Sequence, residues 1–236
     1  MKRVVNVLMV IICIFSISAC SFNENKISDS QKFKEEYENY NGKIGSSGKE
    51  YLKLDIEEDN IIKYTSINEI IEILESGTGV IYLGFPECPW CRNIVPVLLN
   101  AGNNTDLDKI YYLNMSDVRD KMELDENNNI ITTEEASEGY HELLAKLDSI
   151  LSDYILKDSD GNEYNTGEKR IYVPTVLFIR KGQIVDYHFD TVDSQTDPYV
   201  ALDEEQELEL YNIYLAGIHK VLNDQCEDSE EGEEHC

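Results

Sequence analysis

The sequence predicts one α/β domain, built on a central mixed sheet with helices on both of its faces. A chain of 236 residues, 42% of them hydrophobic, is long enough to bury one substantial core. A helix-length segment separates the apolar runs at 80–85 and 109–115, so these two strands should pair in parallel through a right-handed crossover. Two later runs, 175–180 and 183–189, are joined by a short turn containing glycine and should form an antiparallel hairpin.

Residues 1–19 are typical of a secretory signal, because Lys2 and Arg3 precede an apolar run that is too short for a membrane span. Residues 17–20 resemble a bacterial lipobox. That resemblance implies cleavage before Cys20 and attachment of a diacylglyceryl group to its sulfur. The protein is then expected outside the cytoplasm, lipid-anchored to the outer face of the cell membrane. The alternative is an ordinary cleavage site with an incidental cysteine.

Residues 20–47 are polar and rich in Asn, Ser, Lys and Glu, which predicts a flexible linker, with a helix around 31–40 as an option. The domain itself is predicted to span 48–225. Its first residues, 51–56, alternate apolar and polar side chains and indicate a strand, with 61–64 as a second piece.

The first long helix of the predicted domain begins at Ser66. This hydroxyl is followed three residues later by Glu69, which is the spacing of a capping box. Apolar residues on a helical period then continue up to Gly77. The helix should lead directly into the strand at 80–85.

Two cysteines three positions apart open the next helix. Cys88 stands at its mouth, where unpaired N–H groups and the positive end of the helix dipole favour a thiolate. Pro89 suits the first helical position, because its missing N–H would have no partner there. Cys91, one turn later, is close enough to form a disulfide with Cys88. The spacing predicts thiol–disulfide exchange, with Cys88 attacking a substrate disulfide and Cys91 resolving the mixed disulfide, or the reverse.

The same cysteine spacing also serves zinc sites and structural bridges. Zinc needs a second pair of ligands, and no nearby C-x-x-C or H-x-x-H motif supplies one. The sequence therefore predicts neither a metal site nor a cofactor at this position.

The region around Cys88 and Cys91 resembles the active site of the thioredoxin superfamily. Pro96 stands where thioredoxins carry the proline that kinks their active-site helix, and Val173-Pro174 resembles the family's cis-proline. Within the superfamily the chain is most similar to thioredoxin-like lipoproteins of Gram-positive bacteria known as bacteriocin transport accessory proteins. The resemblance covers roughly 66–223, with an insertion at about 116–170.

The resemblance implies a thioredoxin fold and a role for several residues near the cysteines. Pro174, with Val173, should dock the substrate chain, and Trp90 is either a lid that tunes access to the cysteines or a surface aromatic. Thioredoxins bury an acidic residue six positions before the first cysteine, where it relays protons. Tyr82 holds that position here, so the relay is absent or another group supplies it.

Lys169 and Arg170 come just before the presumed cis-proline strand. In a thioredoxin-like arrangement they approach the redox pair, where positive charge would stabilise the Cys88 thiolate. The alternative is a charged strand entrance.

The insertion at 116–170 is predicted to be helical, with a helix from Glu134 to about Leu156 between two polar turns. Neither turn has the spacing of a calcium-binding loop, so both are interpreted as solvated loops. His141 has no companion residues, which favours a surface side chain over a ligand or base.

The chain ends in a predicted helix, 203–222, and an acidic tail at 226–236. Cys226 and Cys236 bracket the tail and are a possible structural disulfide in an oxidising compartment. A metal site that includes His235, or a second redox pair that recharges Cys88 and Cys91, stays open as an alternative. The apolar stripe expected on the helix consists of Leu208, Tyr211, Ile213, Leu215, Ile218 and Leu222.

A net charge of −27 without Lys and Arg clusters argues against nucleic acid as a partner. The sequence predicts an extracytoplasmic thiol–disulfide oxidoreductase that acts on the thiols or disulfides of secreted or surface proteins and peptides. Its redox partner is not identified, and electron flow stays open between oxidation, reduction and isomerisation, with oxidation or isomerisation favoured. The alternative is a lipoprotein binding module for a metal ion or secreted peptide, in which Cys88 and Cys91 form a structural disulfide.

Overall fold

Residues 27–222 are described by a computed structural model of the chain. The predicted signal segment 1–19, the lipid site Cys20 and the tail with Cys226 and Cys236 lie outside these residues. Within 27–222, no helix combines the length and the apolar character that a membrane span requires.

Five helices and nine strands are found within residues 27–222. The helices are α1 (Asp29–Glu38), α2 (Ile67–Ser76), α3 (Pro89–Asn103), α4 (Tyr140–Leu147) and α5 (Glu204–Leu222). The strands are β1 (Ile62–Tyr64), β2 (Gly79–Gly84), β3 (Ile110–Asn114), β4 (Lys121–Leu124), β5 (Ile130–Glu134), β6 (Ser152–Lys157), β7 (Glu163–Arg170), β8 (Thr175–Arg180) and β9 (Gln183–Phe189). A single 3₁₀ turn, Met115–Asp117, follows β3.

The central sheet is mixed, with the strand order β1-β3-β2-β8-β9. Strand β3 pairs in parallel with β1 and β2, whereas β8 pairs antiparallel with β2 and β9. The predicted crossover and the predicted terminal hairpin are both confirmed. Strand β2 lies at the centre, and all six of its residues are buried, which agrees with its nearly continuous apolar sequence.

Side chains alternate along β2 between two separate cores. Val80 and Tyr82 face the core formed with α1, α3 and α5, whereas Ile81 and Leu83 face the core formed with α2 and α4. Helix α2 is held by the predicted capping box, since Ser66 accepts from the Glu69 N–H and the Glu69 carboxylate accepts from the Ser66 N–H. The domain is therefore an α/β structure with helices on both faces of a mixed sheet.

The N-terminal prediction needs correction, because α1 belongs to the core. Phe33 and Tyr37 on this helix are fully buried, and Ser28 caps it by accepting from the Gln31 N–H. The helix that was an option around 31–40 is present as α1, but it is part of the core and not of a flexible linker, and the domain begins well before residue 48. The polar composition concealed two aromatic residues four positions apart, which lie on one face of a helix.

The segment at 51–56 is extended but is not a strand. Two of its backbone N–H groups are bound by side chains, with Leu54 donating to Asn41 Oδ1 and Ile56 donating to Glu38 Oε1, both at 2.8 Å, whereas the Tyr51 N–H donates to the Lys43 carbonyl at 2.9 Å. Leu54 and Ile56 are buried, so the alternation in the sequence reports burial rather than sheet pairing.

The insertion at 116–170 is also different from its prediction. It consists mainly of two antiparallel hairpins, β4-β5 and β6-β7, with the short helix α4 between them. The predicted helix from Glu134 to Leu156 holds only for Tyr140–Leu147, because residues 152–157 pair with β7 across a turn. The two polar turns are exposed and lie between the strands of these hairpins.

Helix α5 is found where it was expected but is rotated. Of the predicted stripe only Ile218 is fully buried, and Leu208 is 60% exposed. Gly217 determines the orientation, because a Cβ there would lie 2.5 Å from the Phe178 ring. The face toward the sheet consists of Leu210, Tyr214, Gly217, Ile218 and Val221.

Candidate redox site

Cys88 is the N-cap of α3, as the sequence predicted, and Pro89 occupies the first turn behind it. The Cys88 sulfur accepts a hydrogen bond from the Cys91 N–H at 3.2 Å. Both cysteines are free thiols, and both are buried, with Cys88 5% and Cys91 0% exposed. The helix start therefore holds the two thiols one turn apart, with only the first one reaching the surface.

The environment of Cys88 favours its thiolate. Burial alone raises the pKa of this thiol, but hydrogen bonds from Cys91 and from the backbone N–H groups of Cys91 and Trp90 outweigh it. The positive charge of Arg119 acts in the same direction, and the pKa of Cys88 lies below its ordinary value as a result. Cys88 is thus the more easily ionised thiol of the pair.

Cys91 has the opposite character. Burial and the neighbouring Cys88 both raise the pKa of the Cys91 thiol well above its ordinary value, although the Phe85 backbone and the Tyr82 side chain partly oppose this. Cys91 therefore stays protonated while Cys88 ionises. In thiol–disulfide exchange generally, an ionised thiol attacks the disulfide and a second thiol then resolves the mixed disulfide.

The loop before β8 lies against the two thiols. The Val173–Pro174 peptide bond is cis, as expected from the sequence, and the Cys88 Sγ lies 3.7 Å from the Val173 carbonyl oxygen. Thr175 fixes the loop by donating from its hydroxyl to the Tyr172 carbonyl at 2.5 Å, and the Asp190 N–H donates to the Pro174 carbonyl at 3.0 Å. The structure thus brings Cys88, Cys91, Val173 and Pro174 together, as predicted.

No family model matches this chain, and no curated protein matches it. The chemistry of the pair therefore rests on its own geometry. The geometry combines an ionisable thiol at a helix start, a buried thiol one turn later and a facing peptide carbonyl.

A recess of about 580 Å³ opens beside Trp90. The Trp90 side chain is half-buried and forms part of its wall, so the structure places it next to the pair, while its function as a lid stays a prediction. Three carboxylates give the recess an acidic character. They are Asp190, Asp193 and Glu209.

Arg170 does not approach the cysteines, which contradicts the prediction. It is buried in an ion pair with Asp120, at 2.6 Å from Nη1 to Oδ1, and its guanidinium stacks on the Tyr154 ring. Lys169 binds Asp153 at 3.2 Å. Their sequence position before β8 was correct, but the second hairpin of the insertion takes both charges away from Cys88.

Arg119 is the cation that acts on Cys88, and the sequence analysis missed it. Its guanidinium lies 4.7 Å above the Phe85 ring, three residues before Cys88, and its Nε is buried without a hydrogen-bond partner. Burial and the like charge of Arg170 lower the pKa of Arg119. No local signal identifies Arg119, because it lies inside an insertion whose fold the sequence did not predict.

Arg92 is a second residue that the sequence analysis missed. It directly follows Cys91, is fully buried, and donates to the carbonyl oxygens of Tyr37 at 2.7 Å and Leu52 at 2.6 Å. It also donates to Asn41 Oδ1 at 2.7 Å. Arg92 thereby attaches the N-terminal segment to the helix that carries both thiols. A charged residue inside an apolar helix was the only available signal.

Tyr82 lies behind Cys91 in the core. Its hydroxyl is 2.7 Å from the hydroxyl of Tyr37, and both side chains are fully buried. Gly84, two residues along the same face of β2, leaves room for this ring, because a Cβ there would lie 2.3 Å from the Tyr82 hydroxyl. Tyr82, which stands where thioredoxins carry a buried acid, is therefore paired with a second phenol, Tyr37.

The remaining predicted positions are structural or superficial. His141 is exposed on α4, as predicted. Within the described range 27–222, no group of three or more His, Cys, Asp or Glu side chains is arranged to hold a metal ion. The alternative that involves His235 lies outside this range.

Proposed function

We propose that this protein is a thiol–disulfide oxidoreductase with a thioredoxin fold, and that Cys88 and Cys91 are its redox pair. One observation carries the proposal. The two thiols differ in their environment, because Cys88 ionises easily at the start of α3 and Cys91 is fully buried with a raised pKa. A structural disulfide needs no such difference between its two sulfurs.

The reaction follows from this difference. The Cys88 thiolate attacks one sulfur of a substrate disulfide, R–S–S–R′, and R′–S⁻ leaves, so that a mixed disulfide forms. Cys91 then attacks Cys88 Sγ and gives up its proton, and the bond from Cys88 Sγ to the substrate breaks, so that the second substrate sulfur leaves as R–S⁻ and is released as the thiol R–SH. The pair loses two electrons and the substrate gains them, and the same steps in reverse oxidise a substrate dithiol.

The loop at Val173-Pro174 is the docking site for the substrate chain. It stands 3.7 Å from the Cys88 sulfur, and the neighbouring recess beside Trp90 has room for side chains of a peptide. The substrate is accordingly a protein or peptide, and a separate redox partner restores the pair.

The location of this activity follows from the N-terminal sequence. A secretory signal at 1–19 and a lipid on Cys20 place the protein outside the cytoplasm, anchored to the outer face of the membrane. Radiolabelled fatty acid should be incorporated into the wild-type protein and should be absent from a Cys20→Ala variant.

The decisive experiment measures the pair directly. Reduced protein is treated with iodoacetamide over a range of pH, and the modified thiol is identified by mass spectrometry. We expect Cys88 alone to react rapidly, with a midpoint below the ordinary cysteine value of about 8.5. A Cys91→Ser variant should accumulate mixed disulfides with its substrates, whereas Cys88→Ser should accumulate none.

The direction of electron flow is a separate measurement. Equilibration with glutathione gives the reduction potential of the pair, and a value near about −120 mV indicates an oxidant whereas one near about −270 mV indicates a reductant. Unreactive thiols at every pH, together with no trapped partner, would contradict the proposed enzyme and favour the binding module.

A further inference from the structure

The recess beside Trp90 adjoins the docking loop and the reactive sulfur. Trp90 lies two positions after Cys88, in the first turn of α3, and forms part of the wall. Asp190, another residue of the wall, donates from its backbone N–H to the Pro174 carbonyl at 3.0 Å. A peptide bound at the docking loop therefore has this recess within reach of the side chains next to its cysteine.

Negative charge dominates the recess. Three carboxylates line it and are exposed to solvent, those of Asp190, Asp193 and Glu209. Within residues 27–222 none of the three takes part in an ion pair, and no lysine or arginine is among the residues that line the recess. His188 is the one basic side chain of this lining, and its Nε2 is 2.6 Å from the Thr191 carbonyl oxygen. The described part of the chain thus supplies no counterion to these carboxylates.

A buried hydrogen-bond acceptor belongs to the same lining. Gln195 is 8% exposed, and its Nε2 donates to the Val200 carbonyl at 2.9 Å. Because a carbonyl can only accept, this bond fixes the orientation of the amide and leaves Oε1 as an acceptor. Oε1 has no hydrogen-bond partner among the described residues. A ligand that brings an N–H group into the recess supplies the donor that this buried oxygen lacks.

The rest of the lining suits a long side chain with an apolar stem. Its apolar surface comes from Trp90, Phe189, Val192 and Ile213. Lysine and arginine pack their aliphatic stems on such surface while the charged end stays with polar groups, and an indole ring attracts a cation. The volume of about 580 Å³ has room for either side chain.

Other occupants fit these surroundings less well. A carboxylate would meet three like charges, and an aliphatic side chain would leave Gln195 Oε1 without a donor. A bound metal ion is not indicated, because no group of three or more His, Cys, Asp or Glu side chains within 27–222 is arranged to hold one.

We infer that this recess binds a lysine or arginine side chain of the substrate, located within a few residues of the substrate cysteine that reacts with Cys88. The inference rests on the proposed function and narrows its substrates to peptides with a positive charge beside the reacting cysteine. The cation interacts with the exposed carboxylates, and one of its N–H groups donates to Gln195 Oε1. The acidity of the recess thereby becomes a determinant of substrate choice.

The test measures which peptide the protein selects. Short peptides with one cysteine are activated as mixed disulfides with nitrothiobenzoate, whose thiol has a low pKa and leaves readily. The Cys88 thiolate attacks the peptide sulfur, the bond to nitrothiobenzoate breaks, and nitrothiobenzoate leaves as a thiolate. One set of peptides carries a single lysine at one of the four positions nearest the cysteine. Matched sets carry arginine, glutamine or glutamate at the same position.

Each charged peptide competes with its glutamine counterpart for reduced full-length protein that contains Cys91→Ser. This substitution removes the resolving thiol, so the peptide stays attached to Cys88. Samples are quenched with acid, and mass spectrometry of the fragment with Cys88 gives the ratio of the two adducts. At the best position, lysine or arginine should exceed glutamine about fivefold, and glutamate should fall below glutamine, because weak exposed ion pairs add to one buried hydrogen bond.

The variants separate the recess from the charge of the whole chain, since a net charge of −27 attracts any cationic peptide. Asp193→Asn and Glu209→Gln should each reduce the adduct ratio about twofold. Gln195→Met removes the buried acceptor and should reduce the ratio by a similar factor of about two. Glu207→Gln is the matched control, because it removes the same charge from an exposed position of α5 outside the recess, and it should keep the parent ratio.

The outcomes distinguish this inference from the function beneath it. If no peptide forms an adduct at Cys88, the redox proposal fails and the inference fails with it. If adducts form but lysine, arginine and glutamine peptides react equally at every position, only the inference is overturned. A preference for cations that Asp193→Asn and Glu209→Gln retain as fully as Glu207→Gln would also overturn it, because the net charge would then be the cause. The two recess carboxylates lie on different segments, so if one variant fails to fold, the other decides.

Discussion

The two faces of the central sheet are covered by helices, but their cores differ in chemistry. The face toward α2 and α4 is mostly aliphatic, with isoleucine and leucine from both helices packed on β2 and β8. The face toward α1, α3 and α5 contains both cysteines, Tyr37, Tyr82 and Tyr112. Both thiols and most of the buried phenols are thus on one side of the sheet.

Because of this difference, mutations in the two cores should have different effects. An aliphatic core contributes stability in proportion to the area that it buries. The opposite core contains thiols and phenols, and burial by itself raises their pKa values. Mutations on the first face should affect folding alone, and mutations on the second face should affect both folding and thiol chemistry.

The largest expected loss of stability follows from a cavity on the aliphatic face. Leu177 on β8 is fully buried opposite Ile81, and Leu177→Ala should lower the free energy of unfolding by about 3 kcal/mol. Urea titration measures this loss. The pH midpoint of Cys88 alkylation should be unchanged, and a change would show that the two faces are coupled.

The two buried arginines near the site should behave differently from each other. Arg170→Met leaves the buried Asp120 carboxylate without its counterion and should destabilise the fold by about 3 kcal/mol, with little effect on Cys88 alkylation.

Arg119→Gln should have the reverse effect. Its charge lowers the pKa of Cys88, so its removal raises that pKa, reduces the thiolate fraction and slows alkylation near neutral pH by about threefold. Alkylation rates and urea titrations on both variants check whether Arg170→Met mainly loses stability and Arg119→Gln mainly loses Cys88 reactivity. If both variants slowed Cys88 alkylation equally, Arg170 would act on Cys88 as strongly as Arg119 does.

Arg92 connects the N-terminal segment to the redox helix, and its loss should have an intermediate effect. Arg92→Met removes donors from the carbonyls of Tyr37 and Leu52 and should reduce stability by about 2 kcal/mol. Hydrogen exchange should increase first in α1. Lys32→Met is a suitable control on α1, since Lys32 is exposed and its contacts, an ion pair with Glu36 at 3.6 Å and the Tyr64 ring at 3.9 Å, do not involve α3. Equal exchange in both variants would contradict the connection.

Glu38 should contribute the smallest effect. Burial raises its pKa, but the hydrogen bonds from Lys34 and the Ile56 N–H outweigh this and lower the pKa overall. A lowered folded pKa means stability that is present above the ordinary glutamate value and is lost as pH falls through the folded value. At neutral pH the free energy of unfolding of the wild type should exceed that of Glu38→Gln by less than about 1 kcal/mol. Thermal unfolding measured near about pH 3 should show no difference between the two proteins.

Local signals allowed correct prediction of the central elements. The capping box at Ser66, the cysteine at the start of α3 and the β8-β9 hairpin each depend on residues within a few positions of one another. Such signals act before any tertiary contact forms, so the sequence identified them. The thiol pair was predicted for the same reason, whereas the cis-proline loop was predicted from the resemblance to thioredoxins.

Tertiary contacts decided what the local signals did not. The β6-β7 pairing replaced a predicted helix, and the burial of Phe33 and Tyr37 turned a predicted linker into part of the core. Each outcome depends on a partner that is distant in the sequence or on an apolar surface that is available only in the folded domain.

The sequence by itself determined where the two neighbouring thiols lie and which helix and strand present them. Only the tertiary structure decided which side chains surround the pair, with Arg119 rather than Arg170 beside Cys88 and with Tyr37 against Tyr82 behind Cys91. The physical reason is the separation along the sequence between the residues that interact. Backbone geometry at a helix start depends on neighbouring residues, whereas charge and hydrogen bonding in a buried site depend on side chains brought together from distant parts of the chain.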